Sequence, residues 1–366
     1  GRTEKGLREA AFKRGFSTIR LFKNFCDSVH VDKVIATATS AIRDAANGQR
    51  FLEKVREEIG LELHVLSGER EAYFDTIGAL NEVQINEGVV LDIGGGSLQL
   101  SDVRQRRFQQ GNSLTLGALA LTERFVENDP VAKTEYNAIQ AEIAGQLKQV
   151  DWLDKRKGAA LVGLGGTIRN LAKIQAEAEN HPLSTLHGFR LSLYSLRESI
   201  DLFRKLPLDA RKKIPGLASD RADIILPGAM ALHEIMERLE VEEVAVSENG
   251  VREGLFFDYF WEHLDPPIIP SVRRFSVMNL ARHYQYEKRH ANHVRFLSGR
   301  LFWQLLPLHG YGTKEAELLD AASLLHDIGR IISYSNHHKH SQTLLENAGL
   351  PGFTPREAAL IMLLTR

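Results

Sequence analysis

The sequence predicts an α/β core followed by an all-α domain, and three observations carry that expectation. Residues 33–80 alternate a short apolar run, a helical pattern, a second apolar run and a second helical pattern, the grammar of an α/β layer. Two further apolar runs, 88–92 and 158–163, end on glycine-rich turns, DIGGGS (92–97) and GLGGT (163–167). From Pro266-Pro267 onward only helical periodicity remains, together with a concentration of histidines: His283, His290, His293, His326, His337, His338 and His340.

The elements follow in order. Leu7, Ala11, Phe12, Phe16, Ile19, Phe22 and Phe25 recur at helical spacing. Residues 33–39 (KVIATAT) read as a short buried strand. Asn47 can cap a helix carrying Phe51, Leu52, Val55 and Ile59, which Gly60 ends. Residues 62–67 (ELHVLS) give another strand, and Gly68 to Leu80 a helix. Strands at 88–92 and 97–103 flank the first glycine turn. Helices are expected at 117–127 and 133–149, then a strand at 158–163 that runs through the second glycine turn into a helix. Residues 190–206, 219–239 and 251–264 read as helical, with 243–247 (EVAVS) one more short strand. Pro266, Pro267 and Pro270 mark a linker.

Composition narrows the classes. The 366 residues exceed one ordinary core. Hydrophobic content of 43% and charged content of 25% fit a soluble globular protein. A net charge of −1, from 46 basic and 47 acidic residues, gives no global field to recruit nucleic acid or an anionic membrane, so any anion site must be local. The single cysteine, Cys26, excludes an intramolecular disulfide and fits a reducing, cytoplasmic setting. No apolar run approaches the length of a membrane span, and the N-terminus is not a signal peptide. Both ends read as cut: Gly1 leads into helix-like sequence, and EAALIMLLTR stops inside an apolar helical pattern.

Three glycines in a turn let backbone N–H groups point into one concavity with no Cβ in the way, a nest for phosphate oxygens. Asp92, at the end of the preceding strand, can hold Mg²⁺ beside those phosphates, and Ser97 adds a hydroxyl donor. The competing explanation is a tight hairpin that needs positive φ. The second turn opens a helix, whose N-terminus favours anions; close strand–helix packing explains it equally well. Neither turn is a P-loop, and neither meets GxGxxG. Two such turns suggest a cleft that holds a phosphate chain between two lobes.

TATSAIRDAAN (37–47), SGEREA (67–72), DIGGGS, GLGGT and GVREG (250–254), in that order, resemble the exopolyphosphatase/guanosine-pentaphosphate phosphohydrolase (Ppx/GppA) family. LHDIG (325–329) and HHKHS (337–341) resemble the HD-like helical domain appended to that family. The resemblance implies an actin-like core, a duplicated ribonuclease H-like fold, with lobes at 1–74 and 75–265 and a helical domain at 271–366. It implies that Glu71 activates the attacking water. The residues themselves leave open that Glu69 and Glu71 merely complement a helix N-terminus. The resemblance further maps Asp92 onto a metal-site aspartate, and Gly94, Gly95, Gly96 and Ser97 onto the phosphate loop. Arg43 maps onto an arginine that can pair with phosphate, with Thr39 and Ser40 as neighbouring donors; an ion pair with Asp44 is the plainer reading of Arg43. Gly165, Gly166 and Thr167 would cradle further phosphates, and Arg252 would reach a distal phosphate or nucleotide.

The chain departs from the family pattern twice. Gln99 stands where DIGGGSTE places a carboxylate, which implies weaker or different use of Mg²⁺. The family's Asp-x-Gly-Ser-Asn-Ser hairpin would precede Gly1, and a chain lacking it is expected to be inactive or poorly folded alone. In the helical domain, His293, His326 and Asp327 are the candidate ligands of a second divalent metal; the alternative is a degenerate domain kept for dimerisation or for holding long polyphosphate. The leading expectation is a homodimeric exopolyphosphatase acting on inorganic polyphosphate. Hydrolysis of guanosine pentaphosphate at the same site, a non-catalytic polyphosphate- or alarmone-binding protein, and a phosphotransferase are the rivals.

Overall fold

Along Gly88–Ile93 the side chains alternate, so Val89, Leu91 and Ile93 point to one face while Val90 and Asp92 point to the other. Both faces are covered. This is seen in a computed structural model, which describes residues 2–3, 6–183 and 185–366. Gly88–Ile93 lies inside a six-stranded sheet ordered Arg107–Leu114, Leu98–Arg104, Gly88–Ile93, Ala160–Leu164, Glu243–Val246, Arg190–Ser192. The first three strands form an antiparallel meander. Gly88–Ile93, Ala160–Leu164 and Glu243–Val246 run parallel, and Arg190–Ser192 closes the far edge antiparallel.

The first face carries Val89, Leu91, Ile93, Leu98 and Leu100 into the largest core, beneath the helices Ala118–Phe125, Lys133–Leu147, Gly165–Ala178, Leu193–Lys205 and Ile225–Leu239. The second face carries Val90, Val103 and Val162 against Ile77, Ala79 and Leu80 of the helix Gly68–Leu80. That helix crosses Val251–Phe260 so closely that glycine is required. A Cβ on Gly254 would lie 1.9 Å from the Phe74 carbonyl oxygen, and one on Gly78 2.5 Å from that of Gly250. The expected lobe boundary at 74/75 therefore falls inside one continuous, buried helix, whose second half packs on the sheet.

The N-terminal part packs Glu9–Ser28 on Gly48–Ile59 around Phe12, Phe16, Phe51 and Val55. The rings of Phe12 and Phe51 meet edge to face at 5.0 Å. Phe22 and Phe25 are exposed instead of completing the apolar stripe. The first helix has 20 residues and its partner 12, so about 12 Å of the longer one has no helix opposite it. The strands expected at 33–39 and 62–67 shrink to a parallel pair, Thr37–Ala38 and His64–Val65. Gly60, at φ 71°, ends its helix as expected. Asn47 precedes that helix, but its side chain makes no cap. Its amide instead clamps Leu7, accepting from the N–H at 2.8 Å and donating to the carbonyl at 3.0 Å.

Two strands of the six-stranded sheet escaped the sequence reading. Arg107–Leu114 (RFQQGNSL) has no apolar run, because this edge strand is exposed or half-buried along all but its last residue. Arg190–Ser192 occupies the start of the expected 190–206 helix, which begins after the Ser192 cap. Beyond the linker, Val272–His283, Lys288–Gln304, Thr313–Leu325, His337–Ala348 and Pro355–Thr365 enclose a separate core that includes Ala281, Ala291, Leu325 and Ile361. Asn81 ties the linker down, donating to the Pro267 carbonyl at 3.0 Å and accepting from Ile269 N–H at 2.8 Å. Among the described residues, no helix is long and apolar enough to cross a membrane.

Candidate active site

The two glycine turns come together at Asp92. Gly165 sits at φ +88°, and a Cβ there would lie 2.2 Å from Asp92 Oδ1 and 2.8 Å from the Ile93 carbonyl. Position 165 thus needs glycine both for its backbone conformation and for its approach to the carboxylate.

The DIGGGS turn behaves differently. None of Gly94, Gly95 and Gly96 adopts positive φ, so hairpin strain does not explain the run. A Cβ at Gly95 would meet only Leu119 Cβ, at 3.8 Å. The turn's carbonyls are engaged by the helix start behind it: Ala118 N–H donates to Gly94 O at 3.0 Å and Ala120 N–H to Gly95 O at 2.9 Å. Among the described residues, the N–H groups of Gly95 and Gly96 have no acceptor. Carbonyls tied back and amides left free make a nest for an anion. Ser97 is buried; its hydroxyl accepts from Gln99 Nε2 at 2.7 Å and keeps its own proton to donate. Gln99 faces Asp92 across the antiparallel ladder and also donates to Ser113 Oγ at 3.1 Å. Its Oε1 is buried without a partner.

Glu71 enters from the first turn of Gly68–Leu80, whose start Ser67 caps by accepting from Arg70 N–H. The carboxylate is buried, and Arg43 Nη1 holds its Oε2 at 2.9 Å, with the Thr39 hydroxyl nearby. Burial raises this carboxyl above the usual range, and Arg43 and Thr39 only partly offset it. Arg43 also donates to the Leu66 carbonyl at 2.9 Å and pairs with Asp44 at 3.2 Å. The structure therefore places Arg43 as the partner of Glu71, as well as in the plainer pair with Asp44.

Asp75, one helical turn after Glu71, is a site residue that the sequence reading missed. It is buried on the same helical face, and the charges that act on it are those of Asp92 and Glu71. Burial first, then the charge of Asp92 and of Glu71, raise its carboxyl well above the usual range. Asp92 is pushed up to about 6, by burial and then by Glu71, against the opposing charge of Arg169. Its Oδ1 is buried without a hydrogen-bond partner. Carboxylates that raise one another, with an orphaned oxygen among them, fit a hard divalent cation with oxygen ligands.

Arg221 was also missed. A Cβ on Gly166 would lie 3.0 Å from its Cζ, so the guanidinium stands over the start of the Gly165–Ala178 helix. The first-turn amides of that helix have no partner within the helix itself. Thr167 contributes such an amide but not its hydroxyl: the side chain is buried against Gly228 of the neighbouring helix. Arg252 is not brought to this group. On Val251–Phe260 it lies two residues from Gly254, on the opposite side from the helix crossing; it is 89% exposed and pairs with Glu253.

In the helical domain, His290 takes the place expected of His293. Ligand atoms of His290, His326 and Asp327 all lie within 4.8 Å of one another. His293 is exposed about 4.5 Å further along the helix axis. His326 Nε2 is 3.2 Å from His290 Nε2, and His337 Nε2 is 3.2 Å from Asp327 Oδ1. The Nδ1 atoms of His326 and His337 meet the Ser323 and Tyr334 carbonyls at 2.8 and 3.0 Å, which leaves both Nε2 atoms as ligands. Arg330 pairs with Asp327 at 3.1 Å.

A mixed α/β core with glycine turns converging on buried carboxylates, followed by a helical domain, defines a class: phosphate-handling proteins of actin-like fold. The chain belongs to the Ppx/GppA phosphatase family, matching it over residues 2–263, and it matches Ppx/GppA phosphatase domain III over residues 272–366. It is similar to the crystal structure of the Aquifex aeolicus Ppx/GppA family member, at 28% identity and TM-score 0.60, over 70% of this chain and 84% of that one. It shares its fold with an exopolyphosphatase from Cytophaga hutchinsonii, at 23% identity and TM-score 0.66, over 71% and 85% of the two chains. The family is one of phosphatases, which makes the chain a hydrolase of phosphate compounds.

Proposed function

We propose that this enzyme is an exopolyphosphatase, releasing terminal orthophosphate from inorganic polyphosphate. One observation carries the reading: Glu71 is buried with its carboxyl raised, and it is held by Arg43 beside Asp92 and the two glycine turns. The terminal phosphoryl group lies against the free amides of Gly95 and Gly96, with the next phosphates along the start of Gly165–Ala178 under Arg221. Glu71 takes the proton of the attacking water, and the P–O bond to the rest of the chain breaks, leaving orthophosphate and a chain one unit shorter. Mg²⁺, when bound, neutralises charge on the phosphoryl oxygens; Asp92 would hold it. Arg43 positions Glu71 and keeps it from swinging away.

The helical domain, read as HD-like, would hold a second divalent cation at His290, His326 and Asp327. Its added surface suits a long polyanion better than a single nucleotide, which favours polyphosphate over guanosine pentaphosphate. A homodimer in the cytoplasm completes the reading.

The experiment is phosphate release from polyphosphate and, in competition, from guanosine pentaphosphate. Glu71→Ala is expected to lower turnover by roughly 10²–10⁴. A preference for the guanosine compound would overturn the order of substrates. Undiminished turnover in Glu71→Ala would remove Glu71 as the base.

A further inference from the structure

Asp75 has no task in the hydrolysis described above. It is 1% exposed, and neither carboxylate oxygen has a hydrogen-bond partner. The Val251 N–H approaches it without closing a hydrogen bond of standard geometry. A Cβ on Gly250 would stand 3.6 Å from its Oδ1, so the side chain lies against Gly250 where the two helices cross. Among the described residues, no lysine or arginine pairs with it. The rest of the helix toward Leu80 is apolar or small, and a leucine at 75 would spare the fold a buried acid.

The sheet supplies the contrast. Position 99 faces Asp92 across the ladder, on the side turned toward Gly68–Leu80. A carboxylate there would stand beside Asp92, and two serine hydroxyls already point at the place. The chain carries a neutral amide at that position and a full carboxylate on the helix opposite.

We propose that Asp75 is a ligand of the divalent cation held at Asp92, directly or through a bound water, bringing from the helix the negative charge that Gln99 does not bring from the sheet. This rests on the metal-assisted reading of the same site. A cation there partners orphaned carboxylate oxygens and relieves the repulsion among Asp75, Asp92 and Glu71. The carboxylate is then a cost to the metal-free fold and a gain to the metal-bound one.

The test is Mn²⁺ binding to the whole chain, read as free Mn²⁺ by electron paramagnetic resonance, alongside the melting temperature in EDTA. Asp75→Asn keeps the shape and removes the charge. It is expected to weaken Mn²⁺ binding at least tenfold while the metal-free protein melts no lower than the parent. Adding Gln99→Glu to that variant is expected to restore most of the affinity, because the carboxylate returns from the other side. Unchanged Mn²⁺ affinity in Asp75→Asn, a parent that binds no Mn²⁺, or a variant that unfolds would each overturn the proposal. The last would show that Asp75 serves the fold. Phosphate release separates this from the substrate reading: lost Mn²⁺ binding in a chain inert toward polyphosphate keeps Asp75 and sinks the exopolyphosphatase, whereas turnover with unchanged Mn²⁺ affinity does the reverse.

Discussion

Replacing Asp92 by asparagine should strengthen the metal-free fold while abolishing turnover. The shape of the side chain is kept, so the change isolates its charge. In the folded protein the carboxyl is pushed up to about 6, first by burial and then by Glu71. A group raised in this way contributes stability that is present below its unfolded pKa, near 4, and lost as pH rises through about 6. The displacement corresponds to about 3 kcal/mol at neutral pH, an upper figure because Asp75 and Glu71 relax with it. Asp92→Asn escapes that loss. Urea unfolding in EDTA from pH 4 to 8 should show it more stable than the parent at pH 7.5 by up to ~3 kcal/mol, with the advantage fading toward pH 4. Mg²⁺ should narrow the gap from the parent's side, since a cation binds the ionised form. A variant less stable than the parent at pH 7.5, or a difference that does not vary with pH, would refute the account of Asp92 as a strained charge awaiting a cation.

Two other perturbations test the geometry. Gly165→Ala costs about 1–2 kcal/mol for the left-handed backbone and drives a methyl group into Asp92 Oδ1, so phosphate release should fall at least tenfold while far-ultraviolet circular dichroism stays native; parental turnover would show that the close approach is not needed. His187→Ala removes the ring that pairs with Glu82 through Nδ1 at 3.1 Å and accepts Gly352 N–H through Nε2 at 3.1 Å, joining the core to the helical domain. Burial works to raise the Glu82 carboxyl, but His187, Ser247 and the Asn249 amide together hold it below the usual range. Losing that partner should cost about 2–3 kcal/mol in urea unfolding at pH 7, and a cost under about 0.5 kcal/mol would contradict it.

Much of the fold was legible because its signals are local. An apolar run of five or six residues bounded by glycine marks Gly88–Ile93 and Ala160–Leu164, since both are buried on both faces. Arg107–Leu114 gave no such signal, because an edge strand needs pairing and not burial. The glycine turns were legible for the same local reason, yet their causes differ. Gly165 is demanded by φ and by Asp92, whereas in DIGGGS Gly95 and Gly96 keep amides bare. Arg252 misled because a motif fixes neighbours in sequence, whereas the helix fixes which side they face. Its own motif mates, Gly250 and Gly254, take the buried side and leave it outside. His290 and His293 are a similar case, one turn apart, with only one level with His326.

Asp75 and Arg221 were illegible for a different reason: each becomes a site residue only through a distant element. The Glu71–Asp75 spacing is plain on a helix, but nothing in residues 68–80 says that Asp92 will face it. That encounter is made by the crossing of Gly68–Leu80 over Val251–Phe260, where Gly78, Gly250 and Gly254 allow backbone to meet backbone. The same helix carries Glu71, the proposed base, at its first turn, the orphaned carboxylate at its second, and the apolar face that seats it on the sheet at its third. A Cβ at Gly254 or Gly78 would run into the facing backbone at 1.9 or 2.5 Å, so a side chain at either place would force the two helices apart. Asp75 lies at that crossing, its Oδ1 against Gly250, so the glycines that let the helices meet also fix where this acid sits.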